Sequence, residues 1–200
     1  MSTIFYLQSK FNRYLSLTKE DAVSAIFLLL LVLPLDSSMN HTAQNSRQAQ
    51  EGSVQALNAI VGTWKLEGIR YKTEFTDSGK AEAVSACQWA PNHNYVICDQ
   101  IVTTPKGKEN SLAIFAYDSE HHKYRYFEIN ARSGQPYYSN LQIHGSTWTF
   151  SSVYHGKIMV YMRTTDRFVT SSLIEYRVEF SFDQKHWTKM ADGRETRIRR

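Results

Sequence analysis

Two cysteines, seven histidines and a set of tyrosines, tryptophans and arginines on strand-like segments are the residues of this chain that could do chemistry. Cys87 and Cys98 are the only cysteines, and Pro91 to Asn94 lies midway between them. A hairpin that pairs Ala90 with Tyr95 also sets Cys87 directly opposite Cys98, with Cα atoms about 4.5–5.5 Å apart, inside the window a disulfide accepts. The alternative, a metal site using both thiolates and His93, offers only three ligands on a tight turn. His121 and His122 follow Asp118 and Glu120 in an oxygen–nitrogen set. Adjacent turn residues usually point apart, so a solvated turn is expected there. No HExxH, glycine-rich phosphate loop, Gly-x-Ser-x-Gly elbow or EF-hand pattern is present. Hydrolase and nucleotide chemistry have no positive support, and no catalytic residue, metal or cofactor is assigned. Tyr126, Trp148, Tyr161, Arg163 and Tyr176 are the candidate ligand-binding residues, because they pair an apolar body with a polar tip on strands expected to face inward. A filled core with satisfied hydroxyls is the competing reading, and a one-residue slip in register reverses every such assignment.

The elements that must position these residues read as strands. Val54, Leu57 and Ile60 recur at helical spacing and predict about two turns of helix before the first strand, placed to close one end of a barrel. From Val61 the period changes to two, and turn-forming clusters arrive at short intervals: Thr76–Lys80, Pro91–Asn94, Pro105–Asn110, Ser119–Lys123, Ser133–Pro136, Gly145, His155–Lys157, Asp166–Ser172 and Asp183–Lys185. They separate about ten strands. Ile174, Tyr176, Val178, Phe180 and Phe182 share one face of the clearest of these, against Glu175, Arg177, Glu179 and Ser181; Ile158, Val160 and Met162 repeat the pattern, as do Trp148 and Phe150. No long amphipathic helix interrupts to make a parallel crossover. Consecutive hairpins with one buried face form a sandwich or a closed barrel, and closure, which removes exposed edges, is the expectation.

The chain has 200 residues, 42% hydrophobic and 13% aromatic, which suits one β-rich domain from Ser53 to Arg200. Before it, Ala22 to Leu35 is an apolar run preceded by Lys10, Arg13 and Lys19, too short for a bilayer span of roughly 20 residues. Residues 1–36 read as a signal peptide or N-terminal anchor and 37–52 as a flexible linker, so secretion or a periplasmic location is expected. No other contact with a membrane is expected. Four of the last seven residues are arginines, and without them the net charge of +4 falls to zero. Elsewhere both signs alternate along the strands, with no basic stripe of the kind a nucleic acid requires.

Gly62-Thr63-Trp64 has the Gly-x-Trp arrangement of lipocalin first strands. Over about 140 residues, LNAIVGTWKLEG, CQWAPNHNYVIC, AYDSEHHKYRYFEI, GSTWTF and YRVEFSFDQKHWTKMADGRETR succeed one another. This order resembles the DUF1579 family of bacterial, frequently exported proteins. The resemblance implies a lipocalin-like barrel and carries over no catalytic residue, since the family has no settled activity. It also implies structural uses for Gly62 and for Trp64, which in lipocalins is covered by an arginine from a late strand; Arg194 and Arg197 are the candidates. The chain departs from the family in its last hairpin, where Ser181 to Trp187 is one residue shorter than Ser-x-Asp-Gly-Gly-Lys-Thr-Trp and lacks the glycines.

The favoured reading is a binding module that holds a small apolar or amphipathic molecule. The alternatives are an enzyme with a polar barrel pocket, a haem-binding barrel related to the nitrobindin group with His144 or His155 as axial ligand, and a structural or interaction protein.

Overall fold

The structure is a computed structural model that describes residues 53–104, 107–130, 134 and 136–199; the expected signal segment and linker, up to residue 52, lie outside them. A 3-10 helix, η1 (Val54–Ile60), precedes ten antiparallel strands. These are β1 (Gly62–Arg70), β2 (Gly79–Trp89), β3 (Tyr95–Thr104), β4 (Gly107–Asp118), β5 (Lys123–Asn130), β6 (Pro136–His144), β7 (Thr147–Tyr154), β8 (Val160–Thr170), β9 (Leu173–Ser181) and β10 (Thr188–Arg199). Each pairs with its sequence neighbours, and β1 also pairs with β10, so the sheet closes into a barrel. No helix among the described residues is long and apolar enough to cross a membrane.

Alternation decides which residues enter the barrel. On β1 the burial of Trp64, Leu66 and Arg70 alternates with the exposure of Lys65 and Glu67, because successive strand side chains take opposite faces. The turns come close to the expected positions, with two informative differences. Where Asp166–Ser172 is expected to turn, β8 continues to Thr170 and only Ser171 and Ser172 reverse the chain, so Asp166 lies in mid-strand with its side chain wholly buried. At the end of β9 the phase flips: Ser181 is buried and Phe182 exposed, the reverse of the expected faces. The Ser181 hydroxyl is retained there by the turn, accepting the amide N–H groups of Asp183 and Gln184 at 3.2 and 2.9 Å. Ile158, expected on the β8 face, precedes the strand and is exposed.

The interior has two apolar clusters. One gathers Leu57 and Ile60 of η1 with Cys87, Val96, Cys98, Phe115, Tyr126, Leu141, Trp148 and Phe150. The other, toward the opposite end, gathers Leu66, Phe75, Val102, Met162, Val178, Phe180 and Met190. A bulge at Met190 turns both it and Ala191 inward. Fully burying an aliphatic or aromatic side chain of this size stabilises by about 1.5–3 kcal/mol, so these clusters carry the fold.

Candidate functional site

Cys87 and Cys98 stand opposite each other across β2 and β3 and are disulfide-bonded, as the hairpin spacing requires. Their turn is closed by the Ala90 N–H donating to Tyr95 O at 2.9 Å, with His93 in the left-handed region. His93 is exposed and its ring lies near Trp89, 6.0 Å between centroids. In the β4–β5 turn His121 faces Asp118, at 3.0 Å, whereas His122 lies 3.2 Å from the Tyr117 hydroxyl. His144 and His155, the haem-ligand candidates, sit on the exposed side of β6 and in the β7–β8 turn, and all six described histidines are exposed.

At the η1 end, Arg197 covers Trp64, with its guanidinium carbon 4.4 Å from the indole centroid, and donates to Val61 O and Ala59 O, each at 2.7 Å. The Trp64 indole N–H donates to Ile60 O at 2.8 Å. Arg194, the other candidate, points outward and lies 3.8 Å from Glu175. Gly62 is buried at φ 125°, a conformation that favours glycine.

The five ligand-binding candidates divide between the two faces of the wall. Tyr126 and Trp148 enter the barrel and pack on Phe115, at 4.9 and 6.4 Å between ring centroids. Tyr176 is also buried, and its hydroxyl reaches across Gly193 to the place a Cβ on Gly68 would occupy, 2.2 Å away, so these paired glycines make room for it. Tyr161 and Arg163 alternate with inward Val160, Met162 and Thr164 and face outward. Arg163 binds Glu179 at 2.7 Å and stacks over Trp187, 4.0 Å from its centroid. Neither Tyr161 nor Arg163 belongs to the interior: β8 runs one residue out of phase with the register that would turn them inward.

What enters from β8 instead is Asp166. It pairs with Trp148 on β7 and Tyr176 on β9, and both its carboxylate oxygens are buried without a hydrogen-bond partner among the described residues. Around the inner wall, at the levels between the two apolar clusters, stand Ser85, Gln100, Ser111, Glu128, Ser139, Thr164 and Glu195, all buried. Registers carry this belt from strand to strand: Ser85 faces Gln100, and Gln100 faces Ser111. The Ser111 hydroxyl donates to Gln100 Oε1 at 2.9 Å, and the Tyr126 hydroxyl donates to Glu128 Oε2 at 2.5 Å. Glu128 Oε1 and Gln100 Nε2 are buried with no hydrogen-bond partner among the described residues.

Burial pushes the Glu128 carboxyl up to about 7, against the opposing hydrogen bond from Tyr126. The Asp166 carboxyl is likewise pushed up to about 7, first by burial and further by the Glu195 charge. The Tyr126 phenol is held well above its ordinary value by burial, by Glu128 and, more weakly, by Asp166. The acids of β5 and β8 therefore both bear on one hydroxyl. Such a group can accept hydrogen bonds from a buried ligand or exchange a proton near neutral pH.

Three of these residues were legible only through phase. Glu128 continues the inward series Tyr124, Tyr126; Asp166 continues Met162, Thr164; Glu195 stands two residues before Arg197. A carboxylate at an inward phase is the signal, and it is masked where the neighbouring inward residues are themselves polar.

No family model matches the sequence, and no curated protein matches it. Among solved structures, the fold is similar to that of Rv2717c from M. tuberculosis, with a TM-score of 0.51 at 9% identity, covering 73% of this chain and 97% of that one. It is also similar to a protein of unknown function of the DUF3598 family from Nostoc punctiforme, with a TM-score of 0.49 at 8% identity, covering 71% of this chain and 49%, about half, of that one. The likeness to Rv2717c shows a shared barrel fold.

Proposed function

We propose that this protein is an exported, lipocalin-like barrel that binds a small amphipathic molecule in its interior. The observation that carries the reading is the polar belt between two apolar clusters, in which Gln100, Glu128 and Asp166 hold buried polar atoms without partners among the described residues. A buried polar group without a hydrogen bond costs about 1–3 kcal/mol or more, and an inner wall built only for stability would have aliphatic residues there. A ligand that brings hydrogen-bonding atoms to the belt and an apolar body to a neighbouring cluster offsets that cost. η1, fastened by Arg197, closes one end of the barrel in this reading. Export is supported by the Cys87–Cys98 disulfide, which persists in oxidising compartments, and by the apolar run ahead of the domain. The resemblance to the DUF1579 family agrees with both.

Native mass spectrometry of protein purified from its own host, together with displacement of a fluorescent aliphatic probe, tests the reading. A bound mass, and probe binding weakened by Gln100→Leu, are expected. A single ligand-free mass with no probe binding would leave a structural or partner-binding role as the better account. For export, N-terminal sequencing after fractionation should find a mature chain beginning between residues 37 and 52 outside the cytosol.

A further inference from the structure

The chemistry of the belt distinguishes among amphipathic ligands. Both oxygens of Asp166 and Oε1 of Glu128 are hydrogen-bond acceptors when ionised, buried and without partners among the described residues, and the third carboxyl of the group, Glu195, is 3% exposed. Each carboxylate enters from a different strand, β5, β8 or β10. Two described arginines also reach the interior wall. Arg197 is committed to two backbone carbonyls and the Trp64 face at the η1 end. Arg70 lies at the other end of β1, where its Nη2 is 2.9 Å from the place of a Cβ on Gly79. The middle of the wall is therefore acidic, and it is flanked by the aromatic rings of Phe115, Tyr126, Trp148 and Phe150.

We propose that this belt receives the ammonium group of a primary amine whose aliphatic or aromatic body lies against one of the apolar clusters. The proposal rests on the binding function above and names its ligand class. An ammonium carries three N–H donors and no acceptor, matching an excess of acceptors. It also neutralises charge that burial disfavours, and the surrounding ring faces attract a cation. A neutral alcohol brings one donor and no charge. A carboxylate brings a like charge into the same space, which is disfavoured.

Isothermal titration of the purified protein at about pH 8 with octylamine, octan-1-ol and octanoate tests this directly. Octylamine should bind about tenfold or more tightly than octan-1-ol, as expected for a desolvated charge pair, and octanoate more weakly than either. In Asp166→Asn and Glu128→Gln, octylamine should fall to within about threefold of octan-1-ol, and an unchanged circular dichroism spectrum shows that the variants are folded. If octan-1-ol or octanoate binds the parent as well as octylamine does, the amine proposal is overturned and the binding function stands. If octylamine binds the Asp166→Asn and Glu128→Gln variants undiminished, its ammonium is held elsewhere and the proposal is equally overturned. If none of the three binds the parent, the amine proposal falls, and the native mass measurement separately decides the fate of the binding function.

Discussion

The two faces of β8, β9 and β10 carry the same kinds of charged residue under opposite conditions. Outside, Arg163 meets Glu179, Arg167 meets Glu175 and Lys189 meets Asp192 at 2.6 Å, all in contact with water. An open groove of about 640 Å³ runs among Arg163, Arg167, Arg177 and Arg194, interleaved with Glu175, Glu179 and Asp192. Inside, one residue along from Arg167, Asp166 is buried with neither oxygen bonded to a described residue. The outer pairs are worth little each, because solvent screens them and long side chains lose freedom on pairing. The inner acids are costly, because no donor among the described residues replaces the lost hydration of Asp166. The same contrast separates two aspartates. Asp183, on the exposed β9–β10 turn, accepts the N–H groups of Lys185 and His186 at 2.8 Å each, and its carboxyl is held well below the usual range by His186 and Lys185. Asp166, with no such donor among the described residues, is pushed the other way by burial. Position relative to the wall, more than residue type, decides whether a charge supports the fold or opposes it.

Neutralising the inner acids should give the largest effect. Glu128 and Asp166 are raised from 4.5 and 3.8 to about 7, so the neutral form is the one that folding favours. Their contribution to stability is whole below about pH 4 and is lost as the pH rises through 7. At about pH 8, Glu128→Gln and Asp166→Asn should each gain on the order of 3 kcal/mol over the parent, with no gain below about pH 4. Urea unfolding at both pH values checks this, and equal midpoints at the two would mean that the inner wall carries no buried charge.

A covalent bond in the same inner wall gives a second gauge. The disulfide closes a loop with a sequence separation of 11, for which chain entropy gives about 3 kcal/mol. Replacing both cysteines by serine should lower stability by that amount or a little less and leave the circular dichroism of the barrel intact. A lost β signal would show that the hairpin cannot form without the bond.

Arg197 and Arg194 sharpen the comparison on one strand. Arg197→Ala removes two charge-assisted bonds to carbonyls and the cover over Trp64, and should cost roughly 2 kcal/mol. Arg194→Ala, on the outer face, should change stability by less than about 0.5 kcal/mol. Similar losses in thermal melts of the two variants would erase the distinction between the faces. Arg163→Ala, whose side chain is 34% exposed, should likewise cost under about 0.5 kcal/mol and leave ligand affinity unchanged. Lost affinity in this variant would relocate the binding site to the outer groove.

The barrel was legible because turns and alternation are local: Pro91–Asn94 and Gly145 announce reversals, and Ile174 to Phe180 announces a half-buried strand. Cys87 and Cys98 followed from one hairpin's register. The interior site was less legible. Asp166 stands within Arg163-Thr164-Thr165-Asp166-Arg167, where polar residues occupy both faces and the period-two signal vanishes, so its type suggested a turn. Arg163 and Tyr161 have suitable side chains but the wrong phase, which the alternation of Val160 and Met162 within β8 already discloses. The 3-10 winding of η1 was also hidden, since Val54, Leu57 and Ile60, spaced by three, fit that helix as well as an α-helix.

Closure of the ring through β1 and β10 has a kinetic consequence. Thr63 pairs with Arg199, so the seam joins the first strand of the barrel to the last one synthesised. Every other strand can pair with a neighbour as soon as that neighbour emerges, but the seam must wait for the whole domain. Until then both edges of a growing meander stay open to other chains, and the slow step is a long-range search. A holding chaperone, or passage in an unfolded state until the final strand is released, protects such a chain. Truncation within β10 should therefore trap edge-exposed, aggregating species and yield no smaller barrel.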